Sequence, residues 1–155
     1  AEEQGTGMLF NMDGEVVGMI SSSVWNDTGK NVVNAYGISD LKPIIELLIN
    51  GKSVPYIGIY GTTVTEQLAE EHKMPSGIYV ADVDPDSPAM AAGIQIGDII
   101  CEASGEEIKD IAAYQNIVIG SSVGETMEFV GKRLGSDGYV NIKFSVVTTE
   151  KEEVK

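Results

Sequence analysis

Two adjoining stretches constrain the fold of this chain more than any others: Tyr56-Ile57-Gly58-Ile59, and Ser87-Pro88-Ala89-Met90-Ala91-Ala92-Gly93 running into Gly97-Asp98-Ile99-Ile100. A glycine inside an apolar strand lets the backbone approach an anion closely, because no side chain stands in the way. Such a loop can aim several N–H groups at a carboxylate while the free edge of the strand accepts an extended chain. In the second stretch a proline opens a short helix, a glycine ends it, and an apolar strand follows. Spacing alone would also allow Tyr56 to Ile59 to be an ordinary core strand. The accompanying Ser-Pro-Ala-x-x-Ala-Gly and Gly-Asp-Ile-Ile pieces argue instead for a pocket that takes a polypeptide C-terminus.

The rest of the chain supplies a frame for that pocket. Met8 to Asn11 and Glu15 to Ser22 flank Met12-Asp13-Gly14, where Asp-Gly favours a tight turn, so a β-hairpin is expected first. Asn31 to Ile38 reads as a third short strand. Ser39-Asp40-Leu41-Lys42-Pro43 then offers Ser39 as an N-cap, Leu41, Ile44, Ile45, Leu48 and Ile49 recur at helical spacing, and Gly51 is the natural stop. From Val54 onward the expected order is a strand at Tyr56 to Tyr60, a Thr65-capped helix to Glu71, a strand at Gly77 to Val83, and a helix at Pro88 to Ala92. A strand follows at Asp98 to Glu102, then a turn at Ser104-Gly105 and a helix at Ile111 to Ile119. The last two strands, Thr126 to Arg133 and Tyr139 to Val147, pair around Gly135-Ser136-Asp137-Gly138. The fold class is therefore α+β, with units 1–53 and 54–149 and a charged tail, 150–155.

Charge narrows the partners. With 24 acidic against 10 basic residues the net charge is −14, which repels nucleic-acid phosphates and anionic lipid surfaces. No run of about 18 apolar residues is present, and no basic stretch followed by an apolar one opens the chain, so no membrane insertion is expected. The lone Cys101, within Ile99-Ile100-Cys101, suits core packing. Asn26-Asp27-Thr28 fits a glycosylation acceptor by pattern only.

Residues from about 54 to 149 resemble the PDZ domain of the HtrA (DegP-like) family of trypsin-fold serine proteases. That resemblance implies a PDZ-like, partly open β-barrel with two or three helices. It also implies that the ligand adds as a strand between the Tyr-Ile-Gly-Ile strand and the helix at Ile111 to Ile119. The backbone amides of Ile57, Gly58 and Ile59 would hold the ligand carboxylate, and Tyr114, Ile117 and Val118 would receive its last, apolar side chain. Residues 7 to 53 extend the resemblance, since Leu9-Phe10-Asn11-Met12-Asp13-Gly14-Glu15-Val16-Val17-Gly18 is similar to the segment after the family's nucleophile. The family reads G-N-S-G-G-P-L before an Asn-x-Asp-Gly turn. Anchored on Asn11 and Gly14, that pattern places Gly5 on the nucleophilic serine, and Gly5 has no side chain with which to attack. Strands and helix in 1–53 would then be a remnant of a trypsin-like β-barrel, too small to cover its own sheet, so self-association into a homo-oligomer is expected. By resemblance alone, the compartment is extracytoplasmic, or outward-facing with a membrane anchor.

Catalytic and metal constellations are thin. The single His72 lies in the polar Glu70-Glu71-His72-Lys73 stretch, suited to a solvated loop, and Thr6 falls one residue late to replace the serine. Asp82, Asp84 and Asp86 imitate the opening of a calcium loop, but Pro85 interrupts it, Ser87 stands where the turn glycine belongs and Gly93 replaces the bidentate Glu. No cofactor is expected. The reading is a non-catalytic chain binding C-terminal peptides or unfolded proteins with apolar C-termini. The alternatives are an oligomerisation or regulatory module, or a fragment of an HtrA-like endopeptidase of protein quality control.

Overall fold

The computed structural model describes residues 6–20 and 35–150, and the chain divides into two compact units, Ala1–Lys52 and Ser53–Lys155.

In the first unit β1 (Gly7–Phe10) and β2 (Val16–Ile20) form the expected antiparallel hairpin. Asn11 shapes its tip: Oδ1 accepts the N–H groups of Asp13 at 3.0 Å and Glu15 at 2.9 Å, while Gly14 takes the left-handed φ of +81° that a non-glycine residue adopts only at a cost. β3 (Tyr36–Gly37) pairs with β2 to complete a three-stranded sheet. The expected third strand is shorter than its sequence pattern, because Ile38 already belongs to α1 (Ile38–Ile49); residues 31–34 lie outside the described residues. Ser39 is a helical residue rather than the N-cap. Gly37 holds that position without a side-chain bond. Gly51 stops the helix as expected, with φ +65° and the paired bonds Gly51 N–H to Leu48 O at 3.0 Å and Lys52 N–H to Leu47 O at 2.9 Å that close a helix through a left-handed residue.

The second unit runs β4 (Pro55–Tyr56), β5 (Ile59–Thr63), α2 (Glu66–His72), β6 (Ile78–Val83), α3 (Pro88–Ala91) and β7 (Ile99–Ala103). It continues with β8 (Glu106–Glu107), α4 (Ile111–Gly120), β9 (Thr126–Gly135), β10 (Gly138–Val147) and β11 (Thr149–Glu150). One antiparallel sheet has the order β10-β9-β7-β6-β5 with β8 beside β7, and β11 pairs with β4 in a second, two-stranded sheet. This is an α+β chain with a PDZ-like sheet and helices, preceded by a β-hairpin and helix. Glu150 is still paired, with Pro55, where the sequence suggested a tail.

Local chemistry explains the elements. Thr65, Ser87 and Asp110 cap α2, α3 and α4, accepting N–H groups from Leu68, Met90 and Ala113 at 3.3, 3.2 and 2.7 Å. The β9–β10 hairpin turns on Ser136-Asp137 alone, since Gly135 and Gly138 pair across it. The main sheet contributes to one core, in which Ile78, Val80, Ile100, Ala103 and Phe129 are buried.

One buried polar group anchors the loop before β7. Asp98 is 1% exposed, and its carboxylate takes two bonds from Arg133, Nε to Oδ1 at 2.6 Å and an Nη to Oδ2 at 2.7 Å, plus the Gln95 N–H at 2.9 Å. The same guanidinium also reaches the Gly93 carbonyl at 3.0 Å and lies over the Phe144 ring. A bidentate Arg–carboxylate pair of this kind supplies geometry as well as energy.

Candidate carboxylate loop and groove

The segment Tyr56 to Tyr60 is not the unbroken strand that its sequence suggests. It splits into β4 and β5, which belong to different sheets, with Ile57 and Gly58 between them. Gly58 has φ +90°, outside the strand region, so the ladder must break there. A Cβ on Gly58 would collide with Ser87 Cβ and lie 2.6 Å from its Oγ and 2.9 Å from the Tyr56 hydroxyl. Glycine is thus required twice, by backbone angle and by close approach to the turn before α3.

That turn orients the loop. The Ile57 carbonyl accepts the Ala89 N–H at 3.0 Å and the Gly58 carbonyl accepts the Asp84 N–H at 2.9 Å. Both carbonyls are drawn toward α3 and the end of β6. Among the described residues, the Ile57 and Gly58 N–H groups have no acceptor. Ile59, the third residue of the expected set, starts β5 opposite Val83 and is buried. Successive backbone N–H groups in a turn can bind an anion where they converge.

β5 is the terminal strand of its sheet, so one of its edges is unclaimed by another strand. α4 packs against β4 and β5, and the Thr63 hydroxyl oxygen accepts the Ile111 N–H at 3.1 Å, fastening the start of the helix to the end of the strand. Tyr114 and Val118 are buried on α4. The Tyr114 hydroxyl is pushed well above the usual phenol range, first by burial and then by proximity to Tyr56. Ile117 is partly buried against the core and lines a hollow with Ser104, Glu106, Asn116 and Met127 that includes no residue of β4 or β5. Tyr114 and Val118 are therefore buried on the helix that packs against β4 and β5, and Ile117 faces a neighbouring hollow.

Sequence reasoning missed the residues that hold the loop. Tyr56 and Tyr60 both donate their hydroxyls to Asp84 Oδ2, Tyr60 at 2.8 Å. The only signal was the position of Asp84 within an apparent acidic turn. Asp82, the first member of that stretch, accepts the N–H of its neighbour Val83 at 2.9 Å. Thr6 is exposed and His72 ends α2 on the surface; Gly5 lies outside the described residues. The Cys101 thiol points at the Ile99 carbonyl, 3.6 Å away, half-buried, and burial raises its pKa against the opposing effect of Lys132. No helix among the described residues is long and apolar enough to cross a membrane.

Comparison with known proteins places these features in a family. Residues 79–133 match the PDZ domain model. The chain is 31% identical over 142 residues to a probable periplasmic serine endoprotease DegP-like of Halomonas elongata, covering 88% of this chain and 30% of that protein. It is 30% identical to the serine protease Do-like HtrA of Bacillus subtilis, covering 95% of this chain and 34% of that protein. The chain thus spans about a third of the length of the curated relatives it matches. Among solved structures, the HtrA3 PDZ domain bound to the phage-derived ligand FGRWV superposes with a TM-score of 0.52 at 33% identity, covering 61% of this chain and 84% of that one. The HtrA-type protease AlgW with a decapeptide shares the fold, with a TM-score of 0.59 at 21% identity over 96% of this chain and 46% of that one.

Proposed function

Because this chain is an HtrA/DegP-family protein with a PDZ domain, we propose that it captures the free C-terminus of an extended polypeptide by adding it as a strand along β5. The observation that carries this reading is the inward commitment of the Ile57 and Gly58 carbonyls, which leaves their N–H groups for an incoming carboxylate. The last side chain of the ligand, apolar by the character of the surroundings, would lie against the Tyr114 and Val118 side of α4, with Ile117 on the neighbouring surface. Burying one such side chain contributes about 1.5–3 kcal/mol, and with the carboxylate bonds and strand pairing, less the association cost, affinity is on the order of micromolar.

The chain binds without cutting, in this proposal, since the residue aligned with the family's nucleophile is Gly5 and covalent catalysis needs an attacking side chain. Its kinship with relatives described as periplasmic favours an extracytoplasmic setting. One titration tests both statements. The free-acid peptide FGRWV is expected to bind at least tenfold more tightly than its C-terminal amide, the loss of one charge-assisted contact being worth about 1.5–3 kcal/mol, and to be recovered intact by mass spectrometry. Equal binding of acid and amide, or cleaved peptide, would count against the corresponding half.

A second reading, self-association, is favoured by the first unit, where Met8 and Phe10 of β1 are 64% and 59% exposed. Apolar groups on a short sheet invite a covering surface. Sedimentation at high concentration should reveal a dimer or larger species that Phe10→Glu returns to monomer; a monomeric wild-type profile removes the reading.

A further inference from the structure

We propose that Asp84 is the positioning residue of the carboxylate loop, spanning it through Tyr56 and Tyr60 so that the Ile57 and Gly58 N–H groups stay aimed at the ligand; this rests on the groove reading above. The two tyrosines bracket Ile57-Gly58-Ile59 in the chain, one closing β4 and the other the second residue of β5. Their hydroxyls converge on a single oxygen, Asp84 Oδ2. Asp84 simultaneously uses its backbone: its N–H donates to the Gly58 carbonyl at 2.9 Å and its carbonyl accepts the Ser87 N–H at 3.3 Å. Ser87, 3% exposed, is the side chain against which Gly58 closes. One residue therefore holds the loop at its centre and at both ends. Burial and the Asp84 bond both push the Tyr56 hydroxyl above the usual phenol range, keeping it a donor at any physiological pH.

The side-chain and backbone contributions are separable. Removing the carboxylate leaves the Asp84 N–H to Gly58 bond and the apolar core in place, so the domain still folds while the span between the tyrosines loosens. A carboxamide at the same position keeps an acceptor oxygen for the hydroxyls. The expected signature is a change in how strongly the loop distinguishes a carboxylate from an amide, and not a uniform loss of binding.

The full chain and its Asp84→Ala, Asp84→Asn and Tyr60→Phe variants would be titrated with FGRWV as free acid and as C-terminal amide. Asp84→Ala should lower the acid-to-amide affinity ratio about tenfold, the scale of a bond to a charged group. Asp84→Asn should keep the ratio within about threefold of wild type, and Tyr60→Phe should fall between. Should Asp84→Ala fail to fold, Tyr60→Phe carries the test, since it removes one tie and no backbone bond. An unchanged ratio in Asp84→Ala, or equal losses in Ala and Asn, overturns the positioning role while leaving the groove intact. A wild-type protein that binds acid and amide alike overturns the groove reading itself, and the positioning role with it.

Discussion

Asp98→Ala is expected to lower the unfolding free energy of the second unit by about 1.5–3 kcal/mol, the scale for hydrogen bonds to a charged group, since Asp98 is buried while the Arg133 side chain remains a third exposed. The loss has three parts. Arg133 would keep its charge beside the core with two of its bonds gone, the Gln95 N–H would lose its acceptor, and the Gly93–Asp98 loop would lose the cross-link that joins it to β9. Urea unfolding checks the magnitude. Because the two side chains share two bonds, Arg133→Met in the Asp98→Ala background should add little further loss, and a double-mutant cycle should give a coupling well outside the additive range of about 0.5 kcal/mol. Strict additivity would mean that the pair does not act as a unit.

Gly58→Val should abolish discrimination between free-acid and amidated peptide. A β-branched residue at φ +90° costs on the order of 1–3 kcal/mol before the contact with Ser87 is counted, and the added Cβ has no direction in which to yield. The loop must therefore move away from the α3 turn, breaking the Ile57 O and Gly58 O bonds that orient it. Calorimetric titration should register a loss of more than tenfold in free-acid affinity, together with a lowered melting temperature. The sequence argument expected crowding of the ligand. The structure adds that the substituent meets the protein first, so the stability loss should appear without any peptide present. A variant as stable as wild type would refute that.

Much of the fold was legible because its boundaries are written in short-range chemistry. Thr65, Gly51, Gly93 and the Ser104-Gly105 turn act within a few residues of themselves, and each stands where cap or turn preferences put it. Ser39 misled because a serine before a proline resembles a cap whether or not the preceding backbone is already helical, and Gly37 and Ile38 began α1 earlier. The strand at Tyr56 to Tyr60 misled for the opposite reason: alternation of apolar residues carries no record of a positive φ, although an isolated glycine in a strand pattern is itself a sign of a break. What could not be read were partnerships between distant residues. Asp98 with Arg133 spans 35 positions and Tyr56 with Asp84 spans 28, and nothing local marks either carboxylate as paired. The same holds for Ile117, whose helical spacing from Tyr114 is right but whose surface is decided by where β8 and β9 come to rest.

The terminal strand β5 sets a ruler. It is 5 residues long, about 17 Å at the rise of an antiparallel strand, interrupted by an irregularity between Tyr60 and Gly61, and it ends where Thr63 is fastened to α4 and Thr65 turns the chain into α2. An added polypeptide has backbone partners only over that distance. Residues further from the captured terminus would run into solvent past the fastening point. In the proposed binding mode, recognition would then read a short terminal tag and be indifferent to the body behind it.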